Sequence, residues 1–397
     1  MKIAMIHTPL TGRGGGERQI LRLAIELQKL GHEVKIFTNA VDEVCYPNLL
    51  KKVTINVIPH PLVRFKPLYR RVAKKRAILY DSILPRMINI GRSIPKGFDI
   101  INDHNFPTEW AAFFAKKRLK IPAIWMCNEP PFWFWHPKEM EKCRKINWPL
   151  CEVFDKIAVK HIDEIVVLSR VAQRLVRKVY NRPSKIVRSG VDIELFHNAS
   201  GEEVRKKHGL ENDFILLHVG NLDPVKRQSD SIKTLYYLSK DYDNIKLILD
   251  GAGQRDSLIR LSEKLGVRSK VLFLHTTNDE ELARVYAACD LFVFPSQITW
   301  GLAAVEAMAA AKAVIVSKEC GASEIIQSGV NGIVVDHAKP KEMARQVESL
   351  MNNAKLRKKI GENAYEYVKN HLSWEKYAKN MEAIFKQTII NCRGSIW

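Results

Sequence analysis

Two absences bound the chain before any motif is read. No stretch of the 397 residues reaches the apolar length that spans a bilayer, and residues 1–6 run into polar sequence instead of forming a signal-peptide core. A cytosolic location is expected. Cysteine is the second shortage: Cys45, Cys127, Cys143, Cys151, Cys289, Cys320 and Cys392 are scattered, odd in number and without a CxxC pair. They argue against a disulfide framework and against a cysteine metal site. His7, His104, His161 and His275 are too dispersed for a metal motif, and no compact zinc finger, RNP-like aromatic pair or helix-turn-helix supports a nucleic-acid partner.

What is present is enough apolar material for two cores, with 46% hydrophobic and 27% charged residues in a chain longer than one core usually serves. The formal charge of +20 points to an anionic partner. Apolar runs separated by helical periodicity recur along the chain. In the first half, strands are expected at 2–7, 34–38, 55–58, 98–101, 123–127 and 164–168, with helices at 17–30, 108–117, 149–161 and 170–179. In the second, strands are expected at 214–219, 245–250, 271–274, 291–294, 313–317 and 332–335, and helices at 228–240, 254–265, 279–288, 302–310, 323–328 and 340–351. Connections this long favour parallel pairing. The reading is α/β: an amino-terminal Rossmann-like domain over 1–189, a second over 190–370, and a carboxyl-terminal helix and tail over 371–397 that returns to the first. Two such domains facing a central cleft would place ligands at the carboxyl ends of their strands.

Several residues at those ends carry chemistry. Gly14, Gly15 and Gly16 permit close backbone approach before the first helix. Gly220 follows an apolar run and is followed by Lys226, a point charge, and Arg227, a planar fork for phosphate oxygens. Gly251 and Gly253 form a second small-residue turn. Gly301 and Leu302 open a helix that carries Glu306, placed to accept hydrogen bonds from ribose hydroxyls while the first-turn amides meet a diphosphate. Glu324 is divided between a helix-start carboxylate and a donor contact. His104 closes a strand, with a core histidine as its plain alternative. Asn128, Glu129 and Trp133 lie in an aromatic, proline-broken loop suited to an acceptor. Arg64, Lys66, Arg70, Arg71, Lys74, Lys75 and Arg76 occur without an intervening acid among apolar residues. Such a stretch suits an anionic membrane surface, at about 1 kcal/mol per charge.

The sequence resembles the retaining glycosyltransferases of family 4, which have the two-domain GT-B fold. Four stretches carry the likeness: Gly14-Gly15-Gly16-Glu17, Ser189-Gly190-Val191-Asp192 through Phe196, Val219-Gly220 through Lys226, and Pro295-Ser296 through Glu306-Ala307-Met308-Ala309. The opening through Gly31-His32-Glu33-Val34 looks like the lipid-linked-oligosaccharide mannosyltransferases. The resemblance implies transfer from a nucleotide-sugar donor, GDP-mannose or a UDP-hexose, with retention, to a lipid-linked or other glycoconjugate acceptor. It places His104 near the transferred sugar and Lys226 on the diphosphate. No tightly bound cofactor is implied; a Mg²⁺ ion could neutralise the donor diphosphate without a protein cage. Peripheral attachment to the cytosolic membrane face fits the basic stretch. The chain departs from the pattern at Ile298, where the first of two glutamates belongs, at Asn221 for an arginine, at Arg227 for a glycine, and at Ala311 and Ala313 for a glycine and a proline. A glycogen- or sucrose-type hexosyltransferase and a binding protein that has lost catalysis are the alternatives these departures keep open.

Overall fold

The computed structural model describes residues 1–59, 83–131, 148–336 and 338–394. It divides into two compact units, Met1–Ser189 with Trp374–Trp397, and Gly190–Ser373. The basic stretch at 64–76, Trp133 and most of the aromatic loop lie outside the described residues.

The first unit is built on strands β1 (Lys2–His7), β2 (Glu33–Thr38), β3 (Thr54–Val57), β4 (Ile100–His104), β5 (Ala123–Met126), β6 (Glu164–Val167) and β7 (Lys185–Ile186). They pair in the order β3-β2-β1-β4-β5-β6-β7, every pair parallel. Helices α1 (Gly15–Lys29), α2 (Ile83–Ser93), α3 (Thr108–Leu119), α4 (Trp148–Lys160) and α5 (Arg170–Tyr180) connect them. The strands are near-continuous apolar runs because helices cover both faces of a parallel sheet. Ile3, Ala4, Met5 and Ile6 are all fully buried. Strand order reverses between β1 and β4, the switch point at which an open parallel sheet leaves a crevice.

The second unit repeats this plan with β8 (Phe214–Val219), β9 (Ile245–Asp250), β10 (Val271–Leu274), β11 (Leu291–Phe294), β12 (Ala313–Ser317) and β13 (Ile333–Val335). Their order is β10-β9-β8-β11-β12-β13, again wholly parallel, with the reversal between β8 and β11. Helices α6 (Gln228–Leu238), α7 (Asp256–Lys264), α8 (Asp279–Ala288), α9 (Leu302–Ala309), α10 (Pro340–Met351) and α11 (Ala354–His371) pack on it. The final helix, α12 (Trp374–Gly394), belongs to the first unit: Tyr377, Ala378, Met381 and Phe385 are buried, and Glu382 reaches the His32 ring at 2.8 Å.

Three sequence expectations need correction. β4 begins two residues later than the apolar run suggests and continues through Asn102, Asp103 and His104, which are buried although polar. The helix expected at 323–328 is a 3-10 turn over Gly321–Ile325, because the Gly321 and Ala322 amides are drawn to the carbonyls of Ile298 and Trp300 at 2.9 and 2.6 Å. Helices α2 and α11 were not anticipated by periodicity.

One helix-ending geometry occurs in both units. After α1, the Gly31 amide bonds to Gln28 O at 3.0 Å and the His32 amide to Leu27 O at 3.1 Å, with Gly31 at φ +84°. After α9, the Ala311 amide bonds to Met308 O and the Lys312 amide to Ala307 O, both at 3.0 Å, with Ala311 at φ +54°. Both are Schellman endings, whose left-handed residue is normally glycine. An alanine there holds its Cβ against the following carbonyl oxygen, at a cost of about 1 kcal/mol. Ala311→Gly is therefore expected to stabilise the second unit by roughly 0.5–1 kcal/mol. Urea unfolding monitored by hydrogen exchange in α9 and α11 measures it; a loss of stability would contradict the assignment.

Candidate active site

In the second unit, the loops that follow β8 and β9 touch backbone to backbone. The Gly220 amide donates to Asp250 O at 2.9 Å and the Leu222 amide to Ala252 O at 2.7 Å. A Cβ on Gly251 would lie 2.1 Å from Gly220 O, and Gly251 holds φ +158°. Gly253, at φ +131°, would meet Leu222 on both its side chain and backbone. The packing of these two loops thus accounts for glycine at both positions before any ligand is invoked. Asp250 pins the next loop, accepting from the Thr276 amide at 3.0 Å and the Thr276 hydroxyl at 2.6 Å.

Lys226 ends a 3-10 turn, Pro224–Lys226, that Asp223 caps by accepting from the Val225 amide at 3.1 Å. Its aliphatic stem lies beside Gly220. Its backbone is held from the far side of the switch point: Lys226 O accepts from the Ser296 hydroxyl at 2.9 Å, and Val225 O from the Gln297 amide at 3.0 Å. The Lys226 ammonium makes no hydrogen bond or ion pair with any described residue. Its charge acts on His218, which is buried in β8; burial first and then Lys226 bring that imidazole down to about 3, so it stays neutral. Arg227, expected to offer a fork to phosphate oxygens, is engaged with Asp230: Nε and Nη2 both donate to Oδ2, at 2.7 and 2.5 Å.

The other wall is the loop from β11 into α9. Gly301 precedes the helix at φ +98°, where a Cβ would come within 2.7 Å of Cys320 Sγ. Leu302 is the first residue of α9, so its amide and that of Ala303 have no helical acceptor, while the Ala304 amide turns to Gly301 O at 3.0 Å. Glu306 is 5% exposed, and its Oε2 accepts from the Tyr286 hydroxyl at 2.8 Å, which fixes the carboxylate's orientation. Ile298 is buried where the family carries a glutamate, but its carbonyl still serves the loop by accepting from Gly321. Glu324 sits half-buried inside the 3-10 turn.

In the first unit, Gly15 and Gly16 are the first residues of α1, and a Cβ on Gly16 would lie 2.5 Å from Nδ2 of Asn105. His104 is fully buried at the end of β4. Asn102 donates to Ile124 O at 3.2 Å, which turns its Oδ1 toward His104 and makes His104 Nε2 the donor at 2.8 Å. Nδ1 of His104 is then an acceptor, without a partner among the described residues. Burial, followed by the neighbouring His7, holds the ring well below its ordinary value. It can accept a hydroxyl hydrogen but does not carry charge. Asn128 is half-buried and Glu129 exposed; the Asn128 amide nitrogen is engaged by Gln19 and Asn105.

On the opposite face of β4 is a group of acids that sequence reasoning missed. Asp155 accepts from Trp110 Nε1 at 2.9 Å and from the Tyr180 hydroxyl at 2.8 Å. It is therefore the better-stabilised anion of the pair it forms with Glu109, which keeps the shared proton because burial and then Asp155 push it well above the carboxylate range. Asp103, fully buried with neither oxygen bonded to a described residue, is raised by burial. His7, Gln19, Asn105 and Tyr377 were also missed as parts of one network; bonded partners as far apart in sequence as Gln19 and Tyr377, separated by 358 positions, give no local signal.

Among the described residues, no group of His, Cys, Asp and Glu could hold a metal ion, and no helix is long and apolar enough to cross a membrane. Two parallel-sheet units whose switch points carry glycine turns, a projecting lysine and a helix-borne glutamate define a GT-B glycosyltransferase. The family profiles agree: residues 13–195 match Glycosyltransferase Family 4 and residues 200–367 match Glycosyl transferases group 1, so the chain is an enzyme of the GT-B class carrying both domains. It is 29% identical to an uncharacterized glycosyltransferase of Methanocaldococcus jannaschii over 97% of this chain and 98% of that one. It is 26% identical to the D-inositol 3-phosphate glycosyltransferase of Corynebacterium glutamicum over 98% of each. The fold superposes on Anabaena HepE, solved in complex with UDP-glucose, with a TM-score of 0.76, 20% identity and coverage of 98% and 100%.

Asp103 supplies a pH test. Its raised value means that its protonated form favours folding below the ordinary carboxylate value of about 4, and that this contribution is lost as pH climbs through the raised value. Asp103→Asn should therefore melt above the parent near about pH 7, with the gap closing toward about pH 4. A gap independent of pH would show that Asp103 does not titrate on unfolding.

Proposed function

We propose that the enzyme transfers a hexose, mannose or a close relative, from a nucleoside-diphosphate donor to a lipid-linked or other glycoconjugate acceptor, with retention at the anomeric carbon. The observation that carries this reading is the Lys226 ammonium, unengaged by described residues at the carboxyl end of β8, with its backbone hydrogen-bonded to the loop that leads into α9. A diphosphate supplies the negative charge this corner lacks. Gly220, Gly301 and Leu302 let backbone amides approach its oxygens, Glu306 accepts from the ribose hydroxyls, and Gly251 and Gly253 border the nucleoside. As the bond from the sugar's anomeric carbon to the diphosphate oxygen breaks, charge grows on that oxygen, and a fixed cation there stabilises the transition state more than the bound donor. The acceptor hydroxyl attacks from the same face, and its proton passes to the departing phosphate. No protein nucleophile is required; Glu306, already oriented by Tyr286, serves as a hydrogen-bond acceptor.

The first unit takes the acceptor. His104 offers a neutral Nδ1 to a sugar hydroxyl, and Gly15, Gly16, Asn128 and Glu129 border the acceptor path. The HepE complex supports a UDP-hexose donor and the opening sequence supports GDP-mannose, so donor choice is part of the test. The net charge of +20 favours an anionic membrane surface, with a lipid-linked acceptor delivered from it.

The experiment is a thermal-shift screen of GDP-mannose, UDP-glucose and ADP-glucose, followed by incubation of the stabilising donor with polyprenyl-linked and soluble acceptors and linkage analysis of the product. Lys226→Ala is expected to lower turnover on the order of 10²-fold. Donor stabilisation without transfer to any acceptor would favour a binding protein, and no donor stabilisation at all would sink the proposal.

A further inference from the structure

One hydrogen-bond chain links the loops above the middle of the first sheet, and it is anchored outside the sheet. His7, at the end of β1, donates from Nδ1 to Thr8 O at 2.9 Å, which leaves Nε2 as an acceptor. Asn105, after β4, donates to that nitrogen from Nδ2 at 3.1 Å. Its Oδ1 therefore faces Asn128, after β5, whose Nδ2 donates to it at 2.7 Å. The same Asn128 nitrogen donates to Oε1 of Gln19 on α1 at 2.6 Å, and Gln19 Nε2 donates to the Tyr377 hydroxyl oxygen on α12 at 2.9 Å. The polarity of each link is set by the previous one, beginning at a carbonyl that cannot reverse. Asn105 holds φ +65° to make its part, and Gly16 leaves the space it occupies.

The packing of α12 does not depend on this chain. Met381 and Phe385 are fully buried, Trp374 nearly so, and Glu382 pairs with His32 separately. The Tyr377 hydroxyl instead accepts from Gln19 Nε2 and ties that side chain, whose polarity Asn128 has already set, to α12. Without that oxygen, Gln19 Nε2 loses its acceptor on α12, so the Gln19 oxygen that accepts from Asn128 is held less firmly and the looseness passes along the chain to Asn105 and His7. The loops at stake follow β1, β4 and β5, on either side of the switch point.

We infer that Tyr377 and Gln19 are positioning residues for the acceptor half of the transfer reaction, holding Asn128, Asn105 and His7 through this relay. The inference rests on the glycosyl-transfer reading above. It makes the last helix a determinant of turnover through one hydroxyl group and not through its packing alone.

The test compares the parent with Tyr377→Phe and with Glu382→Gln, which loosens α12 without touching the relay. Tyr377→Phe is expected to lower kcat on the order of 10-fold, since small misplacement of reacting groups costs this much, with donor KM within about twofold of the parent. Hydrogen–deuterium exchange should quicken in residues 8–18 and 104–109, whereas Glu382→Gln should quicken exchange in α12 alone and keep the parent kcat. Parent-like kcat and exchange in Tyr377→Phe overturn the relay, as does Glu382→Gln reproducing the Tyr377→Phe pattern, because helix docking would then be the cause. If the parent transfers no sugar from any donor, the glycosyl-transfer reading fails and the assignment to acceptor positioning falls with it; the exchange comparison then still reports whether the relay itself exists.

Discussion

The second unit depends on a meeting of two peptide backbones: the Gly220 carbonyl lies where a Cβ of residue 251 would be. This contact brings the exits of β8 and β9 together and makes the β8 exit a low floor beside which the Lys226 stem lies. The opposite wall is built in the same manner, with Gly301 against Cys320 and Gly321 against Thr299 O, where a Cβ would sit 1.9 Å away. A site for a diphosphate needs amides that can be approached closely and one projecting cation. Both follow from small residues at the reversal of strand order, so the chemistry and the tightness of the fold have one cause.

The strands were legible because a parallel sheet covered on both faces leaves a plain apolar run in the sequence, as at 214–219 and 291–294. The same rule fails where burial is polar. In β4, Asn102, Asp103 and His104 are enclosed: Ile124 O accepts from Asn102, Asn102 accepts from His104, and burial pushes the Asp103 carboxyl well above its ordinary value. None of this is visible in hydropathy. Helix α11 was hidden by Gly361, which reads as a breaker but sits where a Cβ would fall 2.2 Å from Ala311 O; glycine lets that helix lie directly against the end of α9. In the site, Lys226 and Glu306 stood out because short motifs place them in order along the chain. The turn of Arg227 onto Asp230 and the relay through Gln19 and Asn128 depend on rotamers and distant partners, which no window of sequence contains.

Three of the departures from the family pattern sit in closely bonded turns of this chain. Arg227 stands in the place of a glycine and still adopts φ +59°, closing the turn after Lys226. Ala311 does the same at φ +54° after α9. Each left-handed residue costs roughly 1–2 kcal/mol. Arg227 offsets part of that through its pair with Asp230, and Ala311 is retained in a complete pair of Schellman bonds. Ile298 has lost a carboxylate but keeps the carbonyl that receives Gly321. A chain drifting from catalysis toward simple binding would have no reason to bear left-handed strain at two replaced glycines. Here the left-handed residues come directly after Lys226 and at the end of the helix that carries Glu306, the two groups proposed to hold the donor.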